Sequence, residues 1–333
     1  MTIEGRESAR RAAESQSAIL SAQDLHKSYD GRPALRGLSF SLEAGHVLGF
    51  LGPNGAGKTT AIRILTTVLE PDSGQFVVDG TSSRHPEEIR RKVGVLPESQ
   101  GFPKQITGIE YLSYFGQHFG RTAAEAKNYG LALLEEVGLE RRGRSLIGSY
   151  SRGMRQRLGI ARALVNDPVV TFLDEPTLGL DPRGQQELLA LVRRIARERN
   201  VGVVLCSHLL SEIEAVCDDV VILNLGQVVA KGSVAEVAGQ AGRSGVRVHV
   251  PPSSVEEAQQ VLGAMPNVAR VTINAAKAGW LQVDLVEVSS NSDHASNGVL
   301  EGLLRADIPV LTFDAEGGRL QDVFLHVTEE AIQ

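Results

Sequence analysis

The chain has 333 residues, with 34 Lys and Arg against 40 Asp and Glu, and it is 42% hydrophobic and 22% charged. At roughly 150 residues per domain, that length suggests about two domains, each with enough apolar material for a core. Residues 1–240 hold 28 basic and 28 acidic side chains, while residues 241–333 hold 6 and 12. The formal charge of −6 therefore lies in the last segment, and neither part offers the basic face that a nucleic-acid partner requires.

Cys206 and Cys217 are the two cysteines, which allows no disulfide framework and no zinc-ligand spacing and suits a reducing compartment. Cys206 closes the apolar run Val203-Val204-Leu205 and reads as a small buried hydrophobe. No run approaches the ~18 apolar residues of a membrane span. Residues 1–21 lack the apolar stretch of a signal peptide and read as a polar arm. A role at a membrane would need its span from another chain.

In chain order, Gln23–Tyr29, Gly37–Leu42 and His46–Leu51 are predicted as strands, the last an apolar run that stops at Gly52. Glycines dominate from there to Lys58. Ile62, Leu65 and Leu69 then recur at helical spacing, with Ile64 and Val68 widening the apolar face. Residues 71–74 end that helix and a strand follows. Residues 101–166 read as mainly helical, with apolar stripes at Tyr111, Leu112 and Phe115 and at Leu131, Leu134 and Val137. Val169–Leu173 is a continuous apolar run, as expected of a parallel strand covered on both faces. A helix over Gln185–Arg199, a strand over 201–206, a helix over 209–216 and a strand over 220–224 complete an α/β alternation. The Gly-rich stretch Gly239–Gly245 marks a domain boundary. Beyond it come a strand (Val246–Val250), a helix (Val255–Ala264), strands (Val268–Asn274, Trp280–Val288), a helix (Ala295–Arg305), a strand (Val310–Phe313) and a last helix (Leu320–Val327). That order predicts a small ferredoxin-like α+β domain.

Two motifs carry chemistry. Gly52-Pro53-Asn54-Gly55-Ala56-Gly57-Lys58-Thr59-Thr60 is a full G-x-x-x-x-G-K-[ST] loop between a strand and a helix. Its glycines let successive backbone N–H groups converge on a polyphosphate, Lys58 supplies a cation, Thr59 offers a hydroxyl to Mg²⁺, and the helix adds its positive end. The run ending Leu173-Asp174-Glu175 places two carboxylates at a strand end, one to hold Mg²⁺ (Asp174) and one to polarise an attacking water (Glu175).

With these motifs the chain resembles the ATP-binding subunits of ABC transporters, over about residues 22–240. Tyr150-Ser151-Arg152-Gly153-Met154 occupies the place of that family's Leu-Ser-Gly-Gly-Gln signature; Ser151 and Gly153 match it, while Tyr150, Arg152 and Met154 depart. Ser151 can cap the helix starting there and Gly153 leaves N–H groups open, a second anion site at a helix N-terminus. The resemblance implies that this site reads the γ-phosphate held by an opposite subunit, and that Gly179-Leu180-Asp181-Pro182 is the D-loop crossing the dimer interface. It also implies that His208 is the switch histidine and that Tyr29 stacks on adenine. Most members have Pro-Gln where this chain has Pro97-Glu98, followed by Ser99-Gln100. Glu98 is taken as the metal-reaching residue of that loop, with Gln100 as the alternative. The Pro-Glu pair, the Tyr-Ser-Arg-Gly-Met signature and the closing Leu320, Asp322, Val323, Phe324, Leu325 and Thr328 are similar to the type-2 exporter branch, a likeness that extends more loosely over 241–333.

The resemblance thus implies a P-loop NTPase over 22–240, with a RecA-like core, an antiparallel β subdomain and a helical subdomain at about 101–166, followed by an acidic accessory domain at 241–333. It implies ATP and Mg²⁺ as cofactors, catalytic roles for Glu175, His208 and Lys58, a homodimer or pseudo-dimer around two ATP molecules, and a separate membrane permease. The expected location is the cytoplasmic face of the membrane, with no span of its own. A soluble ABC-type ATPase acting on a non-transport partner is the rival, disfavoured by the single cassette and the absence of sustained heptads.

Overall fold

The structure, a computed structural model, describes residues 18–98, 101–240, 245–274, 277–286, 292–316, 320–321 and 323–324. The chain divides into two units, Met1–Val234 and Ala235–Gln333. That division falls slightly ahead of the glycine-rich stretch read from composition.

In the first unit, β1 (Ala18–Tyr29) and β2 (Arg32–Glu43) form a long antiparallel hairpin. β1 starts five residues before the predicted Gln23, because its first residues pair on both sides. β3 (Val47–Leu51) is buried throughout and leads into α1 (Lys58–Leu65). The predicted helix is longer than the observed one. Thr66 Oγ1 donates to the Ile62 carbonyl at 2.7 Å, a back-bond that competes with helical continuation, and Thr67 turns left-handed at φ 61°. Val68, expected on the apolar face, is consequently 75% exposed.

β4 (Ser73–Val78) and the short β5 (Thr81–Ser82) complete an antiparallel sheet of order β2-β1-β4-β5. α2 (Pro86–Lys92) then delivers the chain to β6 (Val93–Leu96). The helical stretch contains α3 (Gly108–His118), α4 (Ala123–Glu136) and α5 (Arg152–Ala163). α3 and α4 each start with a capping box, Thr107 with Glu110 and Thr122 with Glu125, which satisfies orphan N–H groups at both ends of each exchange.

The remaining elements are β7 (Val170–Asp174), α6 (Pro182–Arg199), β8 (Gly202–Cys206), α7 (Leu210–Val216), β9 (Asp219–Asn224) and β10 (Gln227–Ser233), while α8 (Val234–Gln240) falls, but for Val234, in the second unit. They build a six-stranded sheet of order β10-β9-β3-β8-β7-β6, parallel from β9 through β6. Its continuous apolar strands are buried on both faces, as the Val169–Leu173 run foretold. Phe40 of β2 meets Phe50 of β3 edge to face at 5.1 Å, joining the two sheets in one core.

The second unit contains β11 (Gly245–His249), α9 (Val255–Gly263), β12 (Val268–Ile273), β13 (Trp280–Leu285), α10 (Ser292–Arg305) and β14 (Thr312–Glu316). The sheet order β12-β13-β11-β14, antiparallel throughout, is the ferredoxin-like arrangement that the element order predicted. Val246, Val248, Leu281 and Val283 point to one face and pack with Ala258, Leu262, Val299 and Leu303 of the helices. Leu320, Gln321, Val323 and Phe324 are helical; the rest of the last predicted helix, with Asp322 and Leu325, and Thr328 after it lie outside the described residues.

Candidate nucleotide site

Four parallel neighbours, β3, β8, β7 and β6, end at one edge of the six-stranded sheet. Each hands over one part of the site: the 52–60 loop after β3, His208 after β8, Asp174 and Glu175 at the end of β7, and Glu98 two residues past β6. Ligands of open α/β sheets bind outside the carboxyl ends of their strands. A cleft of about 520 Å³ lies there, and Asn54–Thr60, Glu98, Asp174, Glu175 and His208 line it, with Tyr29 at the end of β1. Ala34 and Leu178 also line it; neither carries a polar group that a motif search would register.

The loop is shaped by backbone that only glycine adopts easily. Gly57 caps α1 at φ 108° with no side-chain hydrogen bond, and a Cβ there would stand 2.5 Å from the Ala34 carbonyl oxygen. The N-terminal turn of α1 is thus left uncapped towards the cleft, where an anion would be favoured. Lys58 Nζ donates to the carbonyls of Gly52 at 2.6 Å and Pro53 at 3.1 Å, so its charge is folded back over the loop. Gly52 is enclosed, since a Cβ there would lie 2.3 Å from the Leu223 carbonyl oxygen.

Opposite the loop, Glu175 takes a left-handed conformation, φ 48°, which is rare for a residue with a side chain. Its N–H donates to the Cys206 carbonyl at 3.0 Å, and its Oε2 lies 2.8 Å from His208 Nδ1. Asp174 is pushed up to about 6, first by burial and then by the charges of Glu98 and Glu175, against the opposing influence of Lys58 and Arg63. Cys206 beside it is fully buried, and desolvation raises its thiol well above the ordinary value.

Asp174 and Glu98, together with the Thr59 hydroxyl, make a hard oxygen donor set that fits a divalent cation such as Mg²⁺. Among the described residues no three His, Cys, Asp or Glu side chains form a ready-made metal cage. That agrees with an ion that takes most of its ligands from phosphates and water. Gln100, the alternative to Glu98, lies outside the described residues.

Ser151, Gly153 and Asp181 do not line this cleft. Ser151 caps α5, its Oγ accepting from Met154 N–H at 3.2 Å. Gly153 stands open, with the Leu180 side chain 3.8 Å from where a Cβ would be. Asp181 caps α6, accepting from Gly184 N–H at 3.3 Å. Arg152, the signature position that departs from the family pattern, lays its guanidinium over Gly179, where a Cβ would clash at 2.4 Å. Sequence reading overlooked Ser207, directly before His208, and Glu212, to which the Ser207 hydroxyl donates at 2.6 Å.

A phosphate-binding loop between strand and helix, faced by strand-end carboxylates on a parallel sheet, defines a P-loop nucleoside triphosphatase. Residues 35–178 match the family described as ABC transporter. The bacitracin transport ATP-binding protein BcrA of Bacillus licheniformis is 41% identical over 212 residues, 63% of this chain and 68% of that protein. The daunorubicin/doxorubicin resistance ATP-binding protein DrrA of Streptomyces peucetius is 34% identical over 308 residues, 91% of this chain and 90% of that protein. A solved structure of an ATP-binding subunit of an ABC transporter is similar with a TM-score of 0.59 and 32% identity, covering 67% of this chain and 93% of that one. The chain belongs to the ATP-binding subunits of ABC transporters, and its cassette is an ATPase. No helix among the described residues is long and apolar enough to cross a membrane.

Proposed function

We propose that the chain powers export through a separate membrane permease, working as a head-to-tail dimer at the cytoplasmic face of the membrane. The observation that carries the catalytic half of this reading is the His208–Glu175 contact at 2.8 Å, facing the 52–60 loop across one cleft. Export rests on the names of the relatives, which describe bacitracin transport and daunorubicin/doxorubicin resistance.

In this mechanism the loop N–H groups and Lys58 bind the β and γ phosphates, Lys58 exchanging its loop carbonyls for phosphate oxygens. Tyr29, 42% exposed, offers its ring to adenine. Thr59, Asp174 and Glu98 would hold Mg²⁺, which neutralises charge building on the phosphates. Glu175 accepts a proton from the attacking water, and His208 holds the Glu175 carboxylate in place while its other ring nitrogen faces the γ-phosphate. Ser151, Gly153 and Asp181 would close the site from the opposite subunit, excluding bulk water and placing a second helix N-terminus on the γ-phosphate. The N-cap position of Ser151 and its place outside the lining of its own chain's cleft support this exchange.

Mixing two inactive variants tests it. Lys58→Ala and Gly153→Asp subunits should each be inactive alone and regain partial ATPase activity together, because one site of a mixed dimer keeps both intact halves. A mixture as inactive as its components refutes the shared site.

A further inference from the structure

His208 sits in the short link between β8 and α7, its side chain 47% exposed, with Nδ1 2.8 Å from Glu175 Oε2. An exposed ring on a link holds one orientation only if its neighbours do. Ser207, directly before it, is fully buried, and its Oγ accepts from the Leu209 N–H at 3.0 Å, closing a small hydrogen-bonded turn around His208. The same Oγ donates to Glu212 Oε2 at 2.6 Å.

Glu212 is 3% exposed and is the third residue of α7, the place from which a capping-box acid reaches the N-cap N–H. Here Ser207 has taken that N–H, and the acid holds Ser207 instead. Its other oxygen, Oε1, is buried with no hydrogen-bond partner among the described residues. A buried carboxylate with one idle oxygen costs more than an ordinary cap returns. Such a group calls for an explanation beyond helix stability. Glu212 is also firmly rooted. The next residue, Ile213, and Cys217 close over Gly49 of β3, where a Cβ would come within 2.7 Å of Ile213 Cγ2 and 3.1 Å of Cys217 Sγ. The carboxylate is therefore tied to the strand that carries the phosphate loop.

We propose that Ser207 and Glu212 are positioning residues for hydrolysis: anchored on β3 through α7, they hold the turn that aims His208 at Glu175. This rests on the reading of His208 and Glu175 as partners in catalysis. Neither residue lines the cleft, so ATP binding should not depend on them.

The test uses steady-state ATP hydrolysis by the full chain, with the imidazole nitrogen signals of His208 followed by NMR in ¹⁵N-histidine-labelled protein. Ser207→Ala and Glu212→Ala should lower kcat about tenfold or more, the scale of losses from misplaced catalytic groups, with KM for ATP unchanged. Both should shift the His208 signals. Glu212→Gln keeps an acceptor for Ser207 and should restore most of the rate and the native signals. In a His208→Ala background, Ser207→Ala should add no further loss. Ser207→Ala with wild-type kcat and wild-type His208 signals overturns the proposal, as does an equal fractional loss with and without His208, which marks a plain helix cap. If Glu212→Ala does not fold, the Ser207→Ala comparison decides alone. If turnover of the His208→Ala protein falls below detection, the nitrogen signals decide. Wild-type kcat in His208→Ala itself would sink the reading of the catalytic pair instead.

Discussion

Asp174→Asn should stabilise the nucleotide-free protein and weaken its response to ATP with Mg²⁺. The carboxyl group is displaced from 3.8 in a free chain to about 6 by burial and by Glu98 and Glu175. A raised folded value means that the protonated group favours the fold. That contribution is complete below about pH 4 and is lost as pH rises through about 6. Above that, the ionised carboxylate costs about 3 kcal/mol at 1.36 kcal/mol per unit, or about 2 kcal/mol after allowing for its residual solvent contact. Asparagine keeps the shape and removes the charge. For a unit of the size of Met1–Val234, 2 kcal/mol corresponds to a gain of about 4–8 °C in Tm. The assay is calorimetry at pH 8 and at stepped lower pH, read on the transition that responds to ATP, since two units need not melt together. The Tm gain should shrink as pH falls from about 6 and vanish below about pH 4. On adding ATP and Mg²⁺ the order should reverse, the wild type gaining more by mass action than the variant. A variant that is no more stable than wild type at pH 8, or one that gains as much from ATP and Mg²⁺, refutes the assignment of Asp174 as the desolvated cation ligand.

Glu175→Gln should keep nucleotide affinity in equilibrium binding and lose about 10²–10⁴-fold in hydrolysis, the usual contribution of a general base; near-normal turnover rejects that role. Lys58→Ala should raise Kd for ATP by about one to two orders of magnitude, because charged hydrogen bonds to phosphate are worth about 1.5–3 kcal/mol; an unchanged Kd in a filter-binding assay counts against the loop. Gly57→Ala places a Cβ 2.5 Å from the Ala34 carbonyl at φ 108°, and should lower Tm and ATP affinity together, with a cost of about 2 kcal/mol or more from left-handed strain and the clash. Wild-type behaviour there would mean that the loop relaxes freely.

The phosphate loop and the Asp174-Glu175 pair were legible in the sequence because each is contiguous: glycines dictate the local backbone, and an apolar run ending in acids dictates a buried strand that stops at water. The same holds for Ser151, whose capping of α5 follows from the residues directly after it. The second unit was legible through its period-two strands alternating with helices. The helix after Lys58 misled, since its apolar spacing continues through Val68 while a Thr66 back-bond and a left-handed Thr67 end the helix at Leu65.

What only the tertiary structure decided is adjacency. β3, β8, β7 and β6 are neighbours although they are far apart in the chain, and that order brings Glu98, Asp174, Glu175 and His208 to one cleft. The raised Asp174 carboxyl and the Ser207–Glu212 brace are likewise invisible to sequence, because desolvation and a partnerless carboxylate oxygen are properties of surroundings supplied by distant segments. Local backbone chemistry wrote the motifs. Parallel strand pairing, which links residues with no local relationship, assembled them into a site.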